Sequence, residues 1–331
     1  MLLDILISWD MDQIYMNRVK NISKTFSKSF IKNQSAMEYL MTYGWSILII
    51  AVVLGALSFL GVFNPVTFAP KATAGGCQVV KNSELGISNL EGSCNNQMPQ
   101  YVAQFDGPVG GCCGGSHTNY IDVGNKSIYN QIKSNVTIVG WVKLNALTTN
   151  DTGNYNYIVS NDGDCCSTHL YGYAVWMSGM NPRFRIWNGT GYTVASSMDL
   201  QPEVWYQIAA TFNGSYLKIY VNGNINGTTA YKGYISKPAN YSLEIGRLGD
   251  GNPYGINGYL SNIQIYNTSL TNQSIRTLYH EGVGGVPIDP QNLVGWWPLN
   301  GNAKDYSGNG NEGVTLNVKF ISSWYGGYTQ P

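Results

Sequence analysis

Charged residues are scarce in this chain. Only 11% of its 331 residues are charged, and Lys plus Arg balance Asp plus Glu at zero net charge. A nucleic-acid-binding protein carries an excess of basic residues, so this composition excludes that class. The sequence also lacks the short motifs of P-loop enzymes, zinc proteases and serine hydrolases. We therefore expect no nucleic-acid partner and no enzyme of these kinds.

Charge is absent altogether between Glu38 and Lys71. Apolar residues fill this stretch, and residues 36–63 would make a helix of about 28 residues, which is long enough to cross a membrane. Basic residues precede the run and predict that the C-terminal part of the chain is outside the cell. The sequence thus predicts a cytoplasmic leader (1–33), a transmembrane or filament helix (34–63) and a linker (64–76) before an exported domain.

The segment QSAMEYLMTYGWSILIIAVVLG, residues 34–55, resembles the N-terminus of archaeal type IV pilins. The resemblance implies that a prepilin peptidase cuts before Gln34, so that Glu38 becomes the fifth residue of the mature chain. Lys32 matches the basic residue that this family carries before the cut. Asn33 departs from the family, which has Gly, Ala or Ser at that position.

Glu38 has two interpretations. A carboxylate within an apolar helix costs several kcal/mol unless it is paired. In a filament of identical subunits, Glu38 would pair with the amine at Gln34 of a neighbouring subunit. In an uncleaved membrane anchor, Glu38 would instead lie at the headgroup boundary. The sequence leaves open whether the chain is an extracellular filament subunit or a single-pass membrane protein that never polymerises.

Short runs rich in aromatic and β-branched residues follow one another over residues 101–266, separated by Gly, Asn and Asp. This spacing predicts an all-β fold, an antiparallel β-sandwich, preceded by the single long hydrophobic helix. One segment, SLTNQSIRTLYHEG, predicts a helix instead. Ser269 or Thr271 would cap it, Ile275 and Leu278 would face inward, and Gly282 would end it.

Several runs are similar, in order, to the laminin G-like, concanavalin A-like jelly roll: FDG, VGWVKL, EVWYQIAATFNG, LKIYVNG and NGYLSNIQIYNTSL. The resemblance implies a domain over residues 77–283 that binds an extracellular glycan or another cell-surface ligand. Trp141 and Trp205, within two of these motifs, are predicted to pack in the interior rather than to bind ligand.

The strings LVGWWPLNG and DYSGNGNEG lie at residues 293–313, whereas the jelly-roll family has such pieces before the FDG strand. We expect residues 284–331 to fold back and complete the sandwich, as in a circular permutation. Donation of these strands to a neighbouring subunit and a truncated second domain are the alternatives.

All the cysteines lie beyond the apolar run and are even in number: Cys77, Cys94, Cys112, Cys113, Cys165 and Cys166. In an exported chain this pattern predicts disulfides. We expect Cys77 to pair with Cys94 and the two doublets to link their loops. Zinc binding and bonds between adjacent cysteines are the alternatives.

Calcium is the one cofactor that the jelly-roll resemblance implies. Oxygen ligands for it would come from Asp106, Asp305, Asn309 and Asn311, although Asp and Asn also simply form turns. A ligand surface is predicted near the second cysteine doublet: Asp162, Asp164, His169, Tyr171, Tyr173 and Tyr254. Glucanases of this fold carry two glutamates flanking an aspartate on one strand, and no such string occurs here, so a glycan-active enzyme is the least favoured alternative.

Overall fold

We describe a computed structural model of the chain. It describes residues 71–82, 84–94, 98–107, 119–146, 155–162, 171–236, 241–249 and 254–331, together with 43–59 and residues 16, 20 and 41. The chain divides into two compact units, residues 1–68 and 69–331. The second unit thus begins inside the predicted linker.

Residues 43–59 of the first unit are helical. No helix in the described part of the chain is both long enough and apolar enough to cross a membrane. The predicted span 34–63 is therefore not established over its full length. Lys32, Asn33, Gln34 and Glu38 lie outside the described residues, so the predicted cleavage and assembly sites remain predictions.

The second unit is built almost entirely from β-strands. Its strands are β1 (Lys71–Ala72), β2 (Cys77–Asn82), β3 (Ile87–Gly92), β4 (Met98–Pro99), β5 (Val102–Asp106), β6 (Tyr120–Gly124), β7 (Val136–Leu144), β8 (Tyr155–Ser160), β9 (Tyr171–Ser178), β10 (Asn181–Asn188), β11 (Gly191–Ala195), β12 (Trp205–Phe212), β13 (Tyr216–Val221), β14 (Asn224–Ala230), β15 (Leu243–Ile245), β16 (Asn257–Tyr266), β17 (Leu293–Trp297), β18 (Val314–Leu316) and β19 (Lys319–Ile321). Its helices are α1 (Ser127–Asn130), α2 (Asn272–His280) and the 3-10 helix Pro290–Asn292.

Two large sheets form the sandwich. The seven-stranded sheet has the order β11-β10-β9-β8-β15-β6-β18, and the eight-stranded sheet has the order β14-β13-β12-β7-β16-β5-β19, with β17 also paired to β16. All the strand pairs within these two sheets are antiparallel. The predicted all-β sandwich is confirmed.

The main core lies between the two sheets. Alternate residues of each strand point into it, as the two-residue repeat of a strand requires. Val175 and Met177 of β9 and Phe184 and Ile186 of β10 face it from the seven-stranded sheet, and all four are buried. The residues between them therefore lie on the other face of that sheet.

Helix α2 packs against the outer face of the eight-stranded sheet. Thr271 caps it by accepting a hydrogen bond from the Ser274 backbone N–H, and Ile275 and Leu278 are buried in a second hydrophobic cluster. Gly282 follows the helix with a φ of +77°, a conformation that favours glycine. The helix predicted from local sequence signals is confirmed.

The predicted interior positions of Trp141 and Trp205 are confirmed, but both rings lie outside the space between the sheets. Trp141 stacks on Tyr279 of α2 at 5.9 Å between ring centroids. Trp205 packs edge-on against Trp324 at 5.9 Å and donates a hydrogen bond from its indole nitrogen to the Trp324 carbonyl. Helix α2 and the C-terminal residues therefore bury these rings.

The C-terminal strands lie in both sheets of the same chain. β17 pairs with β16 and β19 pairs with β5 in the eight-stranded sheet, whereas β18 pairs with β6 in the seven-stranded sheet. Strand donation to a neighbour is therefore not needed to fill these positions. Their late place in the sequence fits the circular permutation inferred above.

A small hairpin precedes the sandwich. β2 and β3 pair over Cys77 to Gly92, and a disulfide joins Cys77 to Cys94. This predicted disulfide is confirmed. The four cysteines of the doublets at 112–113 and 165–166 lie outside the described residues, so their predicted cross-links remain predictions.

Candidate functional site

A groove of about 460 Å³ lies on the face of the seven-stranded sheet that points away from the core. We call it the outer-face groove. Its lining residues come from β8, β9, β10 and β11 and from the segment between β15 and β16: Tyr155, Tyr157, Trp176, Ser178, Arg183, Arg185, Thr193 and Tyr254. On β9 and β10 they alternate with the core residues, so the strand repeat itself places them on this face.

Strand register brings the lining residues into one row. Tyr157 of β8 lies opposite Trp176 of β9, and Trp176 lies opposite Arg183 of β10. Side chains that face each other across antiparallel strands have Cβ atoms about 5 Å apart. The row therefore brings a phenol, an indole and a guanidinium group together on a rigid sheet.

Aromatic rings make one wall of the groove. Tyr157 stacks on Trp176 at 6.0 Å and on Tyr254 at 6.4 Å, and Tyr155 meets Tyr254 edge-on at 5.2 Å. Tyr157 and Trp176 are buried at 2% and 5% exposure, whereas Tyr155 is 40% exposed. The buried rings thus hold the outer ones in fixed positions, so that the groove presents preformed apolar surfaces with phenol hydroxyls beside them.

Arg185 is held from beneath by Asp162. The Asp162 Oδ2 accepts hydrogen bonds from Arg185 Nε at 3.2 Å and Nη2 at 2.9 Å, and from Trp187 Nε1 at 3.1 Å. Arg185 Nη2 also donates to the Tyr157 hydroxyl, and its guanidinium carbon lies 4.7 Å from the Trp176 ring centroid. The Asp162–Arg185 pair forms the floor of the groove, and its two charges neutralise each other.

Arg183 differs from Arg185 in its contacts. Its Nε is buried and has no hydrogen-bond partner among the described residues. Its guanidinium group forms no ion pair within the part of the chain that the structure describes. Within the described residues, Arg183 is therefore a positive group on the groove with one buried donor, Nε–H, that has no acceptor.

The predicted ligand surface is brought together only in part. Tyr254 lines the groove, and Asp162 lies fully buried beneath it as the partner of Arg185. Tyr173 instead faces the core at 1% exposure, and burial raises the pKa of its phenol well above the ordinary value. Tyr171 begins β9 and is not among the residues that line the groove. Asp164 and His169 lie outside the described residues.

The predicted calcium ligands belong to two sets of contacts, and three of them lie in the turn over 305–311. Asp305 accepts hydrogen bonds from the backbone N–H groups of Trp296, Ser307 and Asn311 through its two carboxylate oxygens. The side-chain amides of Asn309 and Asn311 donate to backbone carbonyls of β17. These residues therefore hold the turn over 305–311 against β17.

Asp106 belongs to a different set of contacts. Its carboxylate accepts hydrogen bonds from Asn119 and from Lys319 Nζ. No group of three or more His, Cys, Asp or Glu side chains in the described ranges is placed to hold a metal ion. Calcium binding by this chain stays a prediction.

Most of the groove residues were not expected from the sequence. The missed residues include Tyr155, Tyr157, Trp176, Arg183 and Arg185. A signal for them exists in the segment PRFRIWN, where two arginines and a tryptophan alternate with Phe184 and Ile186. Charge at alternate strand positions in a chain this poor in charge marks an outer face that carries specific contacts.

Comparison with known families agrees with this architecture. Residues 114–276 match a laminin G family model described as Concanavalin A-like lectin/glucanases superfamily. The matched residues run from before β6 to within α2 and include the strands that form the groove. Over these residues the second unit is similar to that family, and its two sheets form a jelly-roll-like β-sandwich. No curated protein sequence matches this chain.

Solved structures similar to this jelly roll share little sequence with it. A proposed carbohydrate binding protein from Bacteroides ovatus is 15% identical with a TM-score of 0.49; the alignment covers 68% of this chain and 60% of that one. A SAP-like pentraxin from Limulus polyphemus is 15% identical with a TM-score of 0.44, covering 67% and 94%. The Ruminococcus gnavus IT-sialidase CBM40, bound to α2,3-sialyllactose, is 12% identical with a TM-score of 0.42, covering 54% and 97%.

Proposed function

We propose that this chain is a cell-surface protein whose jelly roll binds glycans in the outer-face groove. The observation that carries the proposal is the aromatic wall, in which buried Tyr157 and Trp176 support Tyr155 and Tyr254. A sugar ring has an apolar face of C–H groups and a rim of hydroxyls. Tyrosines match both, because each offers an apolar ring and a polar hydroxyl. The family description, which includes lectins, supports the same function.

The proposal is tested by glycan-array binding of the full chain purified in detergent. Tyr254→Ala removes the ring that contacts both Tyr155 and Tyr157. We expect it to weaken binding at least about tenfold, which corresponds to about 1.4 kcal/mol. Tyr216→Ala is the matched control, because Tyr216 is exposed on β13 of the other sheet. Equal loss in both variants, or binding that neither variant changes, would contradict a role for the groove.

The structure supports binding better than hydrolysis. A retaining glycosidase needs two carboxyl groups about 5 Å apart beside the scissile bond. Tyr, Trp, Ser, Thr and Arg line the outer-face groove in the described part of the chain, and the carboxylate beneath it, Asp162, is engaged by Arg185. We therefore propose a non-catalytic binding domain, with a glycan-active enzyme as the less favoured alternative.

We further propose that the N-terminal segment places this domain on the cell surface as a pilin-like subunit. The helix over residues 43–59 exposes apolar side chains such as Trp45, Ile47 and Val52. Such a surface is stable in lipid or against neighbouring helices, but not in water. A filament of identical subunits and a single-pass membrane anchor both supply that environment.

Mass spectrometry of the mature N-terminus distinguishes the two forms of the proposal. A peptide that starts at Gln34 is the expected result for a pilin-like subunit processed by a prepilin peptidase. In that case Glu38→Ala should abolish filaments without changing glycan binding. A peptide that starts at Met1, Met11 or Met16 would instead favour a non-polymerising single-pass membrane lectin.

A further inference from the structure

We infer that the outer-face groove selects glycans that carry a carboxylate, and that Arg183 recognises this group. The inference rests on the proposed glycan-binding function and adds the chemical class of the ligand. Arg183 and Arg185 lie two residues apart on β10 and point to the same face of the sheet. Of these two, only Arg185 has an acidic partner among the described residues.

The two arginines of the groove differ in their counter-ions. Asp162 neutralises Arg185 through two hydrogen bonds, and the carboxylate is fully buried. Arg183 has no such counter-ion among the described residues, and no Asp or Glu in those ranges lines the groove. Among the described residues the groove therefore carries one uncompensated positive charge, which favours an anionic ligand over a neutral one.

Arg183 lies at a fixed position in the sheet. Its strand partners are Trp176 on β9 and Ala195 on β11, so the backbone at Arg183 is held on both sides by sheet pairing. Its buried Nε–H has no acceptor in the described part of the chain. Buried donors in native proteins are nearly always paired, so an unpaired one calls for an explanation, and a bound ligand would supply the missing acceptor.

The shape of the guanidinium group indicates which anion fits. A guanidinium is planar, always charged, and presents parallel N–H donors that match the two oxygens of a carboxylate. The aromatic wall lies one strand away, with Trp176 directly opposite Arg183. A sugar ring on the wall would thus place a ring carboxylate, as in a uronic or sialic acid, within reach of Arg183. The hydroxyls of Ser178 and Thr193 border the same groove.

The test uses an array of uronate- and sialate-containing oligosaccharides printed beside the same oligosaccharides after carboxyl reduction. Sulfated oligosaccharides are included, because a guanidinium also binds sulfate. We expect the full chain in detergent to bind the carboxylated member of at least one pair about tenfold more strongly than its reduced partner. Arg183→Gln should bring this ratio close to one.

Two further variants complete the design. Arg276→Gln is the matched control, because Arg276 lies on the surface of α2 with a contact to Asn224, and it should leave the ratio unchanged. Arg183→Lys keeps the charge but loses the planar fork, so it should give an intermediate ratio. If Arg183→Gln does not fold, as judged by thermal melting, the binding ratio measured for Arg183→Lys decides whether the inference holds.

The results distinguish failure of the carboxylate inference from failure of the proposed glycan-binding function. Equal binding to carboxylated and reduced partners would overturn the inference and leave glycan binding intact. Stronger binding to sulfated sugars, or a tenfold ratio that survives Arg183→Gln, would also overturn it. If the chain binds no glycan of any kind, the proposed function itself fails.

Discussion

Asp162 and Arg185 form a two-point contact beneath the outer-face groove. One carboxylate oxygen of Asp162 accepts from both Nε and Nη2 of Arg185, and the other accepts from the Ser160 hydroxyl at 2.6 Å. The carboxylate is fully buried. A buried pair of this kind adds little to stability by itself, but removing one partner leaves an uncompensated buried charge.

Asp162→Asn should therefore destabilise the fold strongly. We expect a loss of about 3–5 kcal/mol in the free energy of unfolding, because Arg185 would lose its counter-ion. Urea unfolding followed by tryptophan fluorescence measures this change. Asp106→Asn is the control, since Asp106 pairs with Lys319 on the surface and should cost at most about 1 kcal/mol. Similar losses in the two variants would show that the buried pair has no special role.

Tyr173→Phe should stabilise the protein. The Tyr173 hydroxyl is buried in the core and has no hydrogen-bond partner in the described ranges. Removing an unsatisfied buried hydroxyl should gain about 1 kcal/mol. Tyr266→Phe is the contrasting variant, because the Tyr266 hydroxyl donates to Gln264 at 2.6 Å, and it should lose about 1 kcal/mol. Urea unfolding at neutral pH tests both, and a loss in Tyr173→Phe would contradict the prediction.

The protein should lose stability in alkali. Burial raises the pKa of Tyr328 to about 12 and raises the pKa values of Tyr129, Tyr173 and Tyr266 further. These phenols ionise near pH 10 in the unfolded chain. Their contribution to stability is therefore complete below about pH 10 and is lost as the pH rises through the folded pKa values, by up to about 1.4 kcal/mol per pH unit for each tyrosine.

Unfolding in urea between about pH 9 and about pH 11, with tyrosinate absorbance recorded in parallel, tests this prediction. Burial lowers the pKa values of Lys81 and Lys143, so these two lysines have the opposite effect. The four buried tyrosines should outweigh them. Tyr173→Phe should reduce the alkaline loss, and stability that rises above pH 10 would contradict the sign.

Removing the Cys77–Cys94 disulfide should cost about 3 kcal/mol. The bond closes a loop with a sequence separation of 17, and cross-links of this size restrict the unfolded chain by about that amount. The double variant Cys77→Ala with Cys94→Ala tests the bond without a reductant, which would also reach the other cysteines. Leu85→Ala, an exposed change within the same loop, is the control and should be within about 0.5 kcal/mol of the wild type. Equal stability of the double variant and the control would contradict the prediction.

Trp324→Ala should cost about 3–5 kcal/mol. The Trp324 ring is fully buried, contacts Trp205 and Tyr328, and donates from its indole nitrogen to the Pro99 carbonyl. Its removal would leave a cavity over the eight-stranded sheet. Tyr234→Ala, at an exposed aromatic position, should change the free energy of unfolding by less than about 0.5 kcal/mol. A small effect at Trp324 would mean that the C-terminal residues only cover the sheet loosely.

Local signals allowed some elements to be predicted from the sequence. Helix α2 was predictable because its cap, Thr271, and its end, Gly282, act within a few residues of the helix. The strand Val136–Leu144 was predictable from its β-branched and aromatic residues. β11 and β14 were not expected, because GYTVA and NINGTTA are short and polar and pair only through their neighbours.

The groove could not be derived in the same way. Alternation shows which residues of β9 share a face, but Tyr173 and Trp176 are both aromatic, so the pattern does not reveal which face meets the core. Only the pairing of β8, β9 and β10 decides this, and it depends on contacts between strands. The sequence placed Asp162 near a ligand, but only the fold shows that it lies beneath the groove as the partner of Arg185.

The placement of β17, β18 and β19 determines how late in synthesis the two sheets can be completed. β18 pairs with β6 and β19 pairs with β5, and β5 and β6 are among the first strands of the sandwich to be synthesised, whereas β17 pairs with β16. Neither sheet is complete until the last segment of the chain has emerged. Until β18 and β19 have been made, β6 and β5 are therefore the end strands of the two sheets.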